Sequence, residues 1–230
     1  MLERLRQKMR RPVTSVRKIE RCVSTERSDI RTLAVHIRWQ NCAMRKLCVF
    51  CGSRPGVGER YIAMAREVGR FIAERGVEIV YGGGRVGLMG ALADGALAAG
   101  GRLIGVIPEM LIAREIGHHA LGELHVVRTM AERKELMGAL SEGFLTLPGG
   151  TGTMDELFEA WTWTQLGLHN KPNALLNFDG YYDPLIAFLD RAVSEGFLDA
   201  RNRANLWVDD DPARLIERLC AVVSIPRAYP

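Results

Sequence analysis

From Lys46 to Val223 the chain alternates short apolar runs with amphipathic or small-residue stretches, and this alternation constrains the fold more than any other feature. The apolar runs are LCVFCGS (47–53), VEIVYGGG (77–84), RLIGVIP (102–108), LHVVRT (124–129), GFLTLPGG (143–150), Asn173 to Phe178 and Asn205 to Val208. Between them, helices are expected over Glu59 to Glu74, Gly87 to Gly100, Met130 to Leu140, the stretch after Gly150 to about Gly167, Tyr181 to Glu195, and Pro212 to Val223. Residues Ile62, Ala65, Val68 and Ala73 are spaced for one buried helix face. The segment from Ile112 to Glu123 reads as a loop. Repeated strand–helix units of this kind imply an α/β fold: a single Rossmann-like, doubly wound parallel sheet flanked by helices. Ligands of such sheets sit beyond the carboxyl ends of the strands. That places Gly52, Ser53 and Arg54, the turn at Gly82 to Gly84, Pro108 and Glu109, and Pro148 to Thr153 along one rim.

With 230 residues, 47% of them hydrophobic, the chain has enough apolar material for one sizeable domain. No run approaches the roughly 20 apolar residues of a membrane-spanning helix, and the N-terminus lacks a secretory apolar region. A soluble, cytoplasmic protein with no membrane partner is expected. The five cysteines are an odd number in a chain with no secretory feature, so free thiols are expected rather than a disulfide framework.

Charge divides the chain in two. Residues 1–43 hold nine arginines and two lysines against four acids, net +7, which leaves the remainder at −3 of the chain's +4. The basic segment has no clear helical or strand period and reads as a flexible arm preceding a domain of residues 44–230. Interspersed acids and a lone Trp39 argue against nucleic-acid binding and against a transit peptide. The arm is expected to have no catalytic role.

The stretch LPGGTGTMDE, Leu147 to Glu156, carries the chemistry. A strand end, a Gly-Gly-x-Gly-Thr turn and a helix start form a cradle in which backbone amides and the helix dipole meet an anion. Thr153 can cap the helix or give its hydroxyl to a phosphate oxygen. Two acids follow where a phosphate site alone favours lysine or serine. Asp155 is read as a partner of the helix dipole, and Glu156 as the functional carboxylate, suited to glycosidic bond chemistry beside a bound sugar phosphate.

Three other features invite different chemistry. Cys48 and Cys51 have C-x-x-C spacing, but strand positions three apart face opposite ways and no second pair of ligands accompanies them. His118 and His119 are adjacent in a loop and lack a helical i, i+4 partner. Trp161 and Trp163 follow the cradle; core packing accounts for at least one, and the other can wall a base pocket. No metal or cofactor is expected. Gly82 to Gly87 also satisfies G-x-G-x-x-G, which keeps a nicotinamide enzyme as an alternative, with Glu109 the late candidate for the ribose-binding acid. A second glycine turn at 149–152 fits a mononucleotide better, because one pyrophosphate needs one cradle.

These motifs together, CGSRPG (51–56), YGGGRVGLMG (81–90), GVIPEML (105–111), MAERKELM (130–137), PGGTGTMDE (148–156) and WTWTQLGLHNKP (161–172), resemble the Lonely Guy (LOG) family. Its members are cytokinin riboside 5′-monophosphate phosphoribohydrolases, formerly labelled possible lysine decarboxylases. The resemblance covers nearly all of residues 46–223 and implies a purine nucleoside 5′-monophosphate substrate and a homodimer or higher homo-oligomer. It assigns catalytic roles to Arg133 and Glu156. Substrate binding is implied for Glu115, Arg133, Lys134 and Thr162, and for Gly149, Gly150, Thr151, Gly152, Thr153, Met154, Asp155 and Glu156 of the motif. Ser53, Gly83, Gly84, Met89 and Gly90 would shape the rim and floor. Lys134 stands one residue beyond Arg133 and cannot share its helix face closely. A general AMP hydrolase and a non-catalytic nucleotide sensor remain the alternatives, because the depth of the base pocket depends on how distant side chains pack.

Overall fold

The computed structural model describes residue 42 and residues 44–115 and 122–223. Seven strands form one parallel sheet: β1 (Lys46–Phe50), β2 (Glu78–Tyr81), β3 (Leu103–Pro108), β4 (Glu123–Val127), β5 (Phe144–Thr146), β6 (Asn173–Leu176) and β7 (Leu206–Asp209). Their spatial order is β4-β3-β2-β1-β5-β6-β7, every adjacent pair parallel. The chain begins in the middle, winds outward to β4, and returns to the other side of β1 at β5. That reversal opens a crevice between the carboxyl ends of β1 and β5, where doubly wound sheets bind ligands.

The helices are α1 (Arg60–Glu74), α2 (Gly87–Ala98), α3 (Glu109–Glu115), α4 (Met130–Leu140), α5 (Thr151–Gln165), α6 (Asp183–Ser194), α7 (Ala200–Ala204) and α8 (Pro212–Val223). In β1, β2, β3, β5 and β6 the side chains alternate between two buried faces, which is why these strands are largely apolar runs, while the edge strand β4 is mostly exposed. Leu47 and Val49 of β1 join Ile79, Leu103, Leu145 and Leu176 under α1, α2 and α8. On the opposite face, Cys48 and Phe50 pack with Val80, Ile104 and Phe144 against Met137 of α4 and Ala160 of α5. A third cluster joins Leu157 and Trp161 of α5 to Leu175, Tyr182 and Leu189.

The expected elements are present with shorter strands. The ladders end at Phe50, Tyr81 and Thr146, and of the segments beyond them 51–54 and 148–150 reach the crevice. Among the described residues, two α-helices and a 3-10 turn at Phe178–Gly180 were not anticipated. The expected loop from Ile112 begins instead inside α3, whose Glu109–Glu115 run follows directly on β3. Helix α7 is capped by the Asp199 carboxylate, which accepts from the Arg201 amide.

The core reaches back to Met44, 2% exposed, and to Cys42, packed against it. Of the expected arm of residues 1–43, residues 1–41 and 43 lie outside the described residues, as do His118 and His119, while Cys42 belongs with the core. The expectation of free thiols fails at one pair: Cys42 and Cys220 form a disulfide, with Cα atoms 4.9 Å apart across 178 residues of sequence. Cys48 and Cys51 are free and buried, on opposite faces of the sheet as their spacing implied. Among the described residues, no helix is long and apolar enough to cross a membrane.

The crossing of α1 and α2 depends on two glycines. A methyl group at Gly95 would overlap the Arg66 carbonyl oxygen, and one at Gly69 the Leu92 carbonyl oxygen, so each helix presses backbone against backbone. Gly95→Ala gains up to about 1 kcal/mol of helix propensity but must push the packed helices apart, an overpacking cost of about 1–3 kcal/mol. The clash is with main chain, so the second effect should win. Calorimetry should show Tm lowered by several degrees; an unchanged or raised Tm would mean that the helices separate freely.

Candidate active site

Beyond the carboxyl ends of β1 and β5 lies a cavity of about 600 Å³. Its wall includes Ser53, Met89, Arg133, Gly149, Gly150, Thr151, Gly152, Thr153 and Glu156, all expected from sequence. The loop after β1 supplies Cys51 to Arg54, the start of α2 supplies Leu88 and Met89, and the turn after β5 supplies the glycine cradle.

Helix α5 begins at Thr151, with Gly150 in extended conformation at its N-cap and no side-chain capping bond. The orphan amides of its first turn therefore face the cavity without a side-chain acceptor at the cap, the condition for an anion site. Thr153 lies in this first turn and is 4% exposed. Asp155 and Glu156 stand one turn further on than expected, so the reading of Asp155 as a first-turn dipole partner is corrected. Asp155 instead pairs with Lys134 at 2.9 Å.

Glu156 is 7% exposed and Arg133 6%, and they form an ion pair, Nη1 to Oε1 3.3 Å. Two further guanidinium donors are directed to the main chain at the ends of β2 and β3. Nε donates to the Val106 carbonyl at 3.1 Å and Nη2 to the Gly82 carbonyl at 3.4 Å, so the ends of β2 and β3 hold Arg133 in place. Gly82 has no room for a side chain, because a Cβ there would overlap Nη2 of Arg133. One role of the first glycine turn is thus to admit an arginine. Buried pairs of this kind are no gain over well-packed apolar residues, so stability alone does not account for them.

Cys51 also borders the cavity. Burial, and secondarily the Glu156 carboxylate, push its thiol far above the ordinary range, which keeps it protonated and unreactive. Lys134 turns from the cavity toward α5, where it pairs with Asp155 and, at 3.2 Å, with Glu159. Partial burial disfavours its charge, but the hydrogen bonds to these two carboxylates outweigh that and raise its pKa. It ties α4 to α5.

Several expected residues lie away from the cavity wall: Lys134, Met154, Asp155, Gly83, Gly84 and Gly90. Thr162 is exposed on α5. Glu115 closes α3, and its side chain falls outside what the structure describes. Neither tryptophan borders the cavity: Trp161 is buried with Nε1 donating to the Asn202 carbonyl at 3.0 Å, and Trp163 meets His169 edge-on. Gly52 and Arg54 line it as the rim reading expected, whereas Tyr61, Leu111, Met130 and Tyr181 line it unforeseen. These four come from separate segments, and no spacing in the sequence connects them.

Comparison with known proteins follows the same residues. A family model described as possible lysine decarboxylase matches residues 89–219. A cytokinin riboside 5′-monophosphate phosphoribohydrolase of Rhodococcoides fascians is 48% identical over 183 residues, spanning 79% of this chain and 90% of that protein. The cytokinin riboside 5′-monophosphate phosphoribohydrolase LOG of Oryza sativa subsp. japonica is 48% identical over 159 residues, 68% of this chain and 66% of its own. Among solved structures, the molybdenum cofactor binding protein of Rippkaea orientalis superimposes with a TM-score of 0.60, covering 78% of this chain and 97% of that one. At 23% identity that likeness concerns the fold alone.

Proposed function

The chain belongs to the family described as possible lysine decarboxylase, and from that premise we propose a hydrolase that cleaves the N-glycosidic bond of purine nucleoside 5′-monophosphates. Cytokinin riboside 5′-monophosphates are the foremost substrates in this reading, with AMP a further one; the products are free base and ribose 5-phosphate. The observation that carries it is the buried Arg133–Glu156 pair bordering a cavity that also holds the glycine cradle. The decarboxylase wording has no counterpart in the site, where Lys134 is engaged with two carboxylates away from the cavity.

The amides of Gly150 to Thr153 take the 5′-phosphate, which anchors the ribose beside Glu156. Departure of the base with the bond's electron pair leaves an oxocarbenium-like sugar, and the Glu156 carboxylate stabilises it and orients the attacking water. Water supplies hydroxide to C1′ and, in net terms, its proton to the base. Arg133 pairs with the carboxylate and keeps it aimed, since its guanidinium is itself held by two main-chain carbonyls. The Leu88, Met89, Leu111 and Met130 side chains offer apolar wall for a base. The same reading includes a homodimer or higher homo-oligomer, a state supported by apolar side chains exposed at Met130, Leu166 and Leu168.

Purified protein offered AMP and isopentenyladenosine monophosphate separately should release base and ribose 5-phosphate, faster from the prenylated nucleotide. Binding of both nucleotides without release of base from either would leave a nucleotide-binding module and sink the enzyme.

A further inference from the structure

An anion cradle works only if its peptide planes present N–H groups, not carbonyls, to the ligand. In this protein the three successive carbonyls of the turn are each held by a separate donor. The Tyr182 hydroxyl donates to Leu147 O at 2.8 Å, the Gly52 amide to Pro148 O at 3.1 Å, and the Tyr181 hydroxyl to Gly149 O at 2.7 Å. In a trans peptide the carbonyl and the following N–H point in opposite directions. Holding Gly149 O therefore aims the Gly150 N–H the other way, and holding Pro148 O aims that of Gly149. Leu147 O is different, because Pro148 has no N–H to aim.

We propose that Tyr181 is a positioning residue for phosphate binding: its hydroxyl sets the Gly149–Gly150 peptide plane so that the Gly150 amide meets the 5′-phosphate. This rests on the phosphate site of the proposed function and extends it to a residue 25 positions beyond Glu156, on another element. Tyr181 borders the cavity itself and is 41% exposed.

The segment carrying it is braced for the task. Asp179 adopts a left-handed backbone, φ 55°, that a non-glycine residue rarely holds, and its carboxylate pairs with Arg60 of α1. The Asn177 side chain accepts from the Tyr182 amide and donates to Asp183, each at 2.7 Å. Tyr61 meets both Phe178 and Tyr181 edge-on, ring centres 5.9 Å apart. Tyr182 is 3% exposed, and burial pushes its hydroxyl far above the usual phenol range, so it remains a donor.

Two variants that each delete one hydroxyl from the same turn test the assignment. Ribose 5-phosphate binding is measured by calorimetry, with nucleotide KM and kcat and thermal melting on the same preparations. Tyr181→Phe should raise the Kd for ribose 5-phosphate about five- to tenfold, as expected for one lost hydrogen bond, with KM rising more than kcat falls and Tm little changed. Tyr182→Phe should lower Tm, leaving a buried carbonyl unsatisfied, and leave that Kd within about twofold. Wild-type affinity in Tyr181→Phe, or an equal loss in Tyr182→Phe, overturns the proposal. Wild-type protein that binds ribose 5-phosphate yet releases no base would fail the proposed function and leave this assignment standing. Absence of ribose 5-phosphate binding by the wild type overturns both.

Discussion

Glu156→Gln is expected to slow base release about 10³-fold, the scale seen when one electrostatic or acid–base group is removed from an active site. That corresponds to about 4 kcal/mol of transition-state stabilisation at 1.36 kcal/mol per tenfold. The substitution keeps the shape of a side chain that is 7% exposed, and it keeps a carbonyl oxygen able to accept from Arg133. What it removes is the negative charge that a cationic sugar needs. Nucleotide affinity should change little, because the proposed phosphate cradle lies on the first turn of α5, ahead of Glu156. Initial rates of base release, with nucleotide Kd from calorimetry, separate the two effects. A variant retaining a tenth or more of the wild-type rate would show that Glu156 is not the stabilising group.

The second large effect is expected at Arg133, and it should reach stability as well as activity. Arg133→Met strips the buried Glu156 carboxylate of its guanidinium and leaves the Val106 and Gly82 carbonyls without that donor. Breaking a buried pair from one side costs about 3–5 kcal/mol, and in a chain of this size each kcal/mol lowers Tm by about 2–4 °C. Melting should therefore fall by roughly 6–20 °C, alongside a loss of activity comparable to that of Glu156→Gln. Adding Glu156→Gln to Arg133→Met removes the stranded charge and should recover some of the lost stability, so the two changes should be non-additive. Strict additivity of the two Tm shifts would show that the pair is not coupled.

The regions of the site contiguous in sequence were legible there. Gly149 to Thr153 and Glu156 lie on one turn and one helix, and the type of turn is written in its glycines. Features that arise from contact between elements were not. Lys134 stands beside Arg133 in sequence, yet it faces α5 and pairs with Asp155 and Glu159, because neighbouring helix residues point about 100° apart. Nothing local to Asp155 signals Lys134, so the sequence offers only the helix dipole as its partner. The Cys42–Cys220 disulfide is hidden for the same reason: 178 residues separate two thiols that only the closing of α8 onto the sheet brings together.

By itself the sequence determined the parallel α/β sheet, the two glycine turns and the side of the sheet on which they meet. These follow from local periodicity and from the rule that parallel strands deliver their loops to one edge. Tertiary structure alone decided which charges pair, which tyrosines hold the cradle, and how Arg133 is anchored to β2 and β3. Those depend on distances between side chains far apart in the chain, and such distances exist only once the sheet has packed.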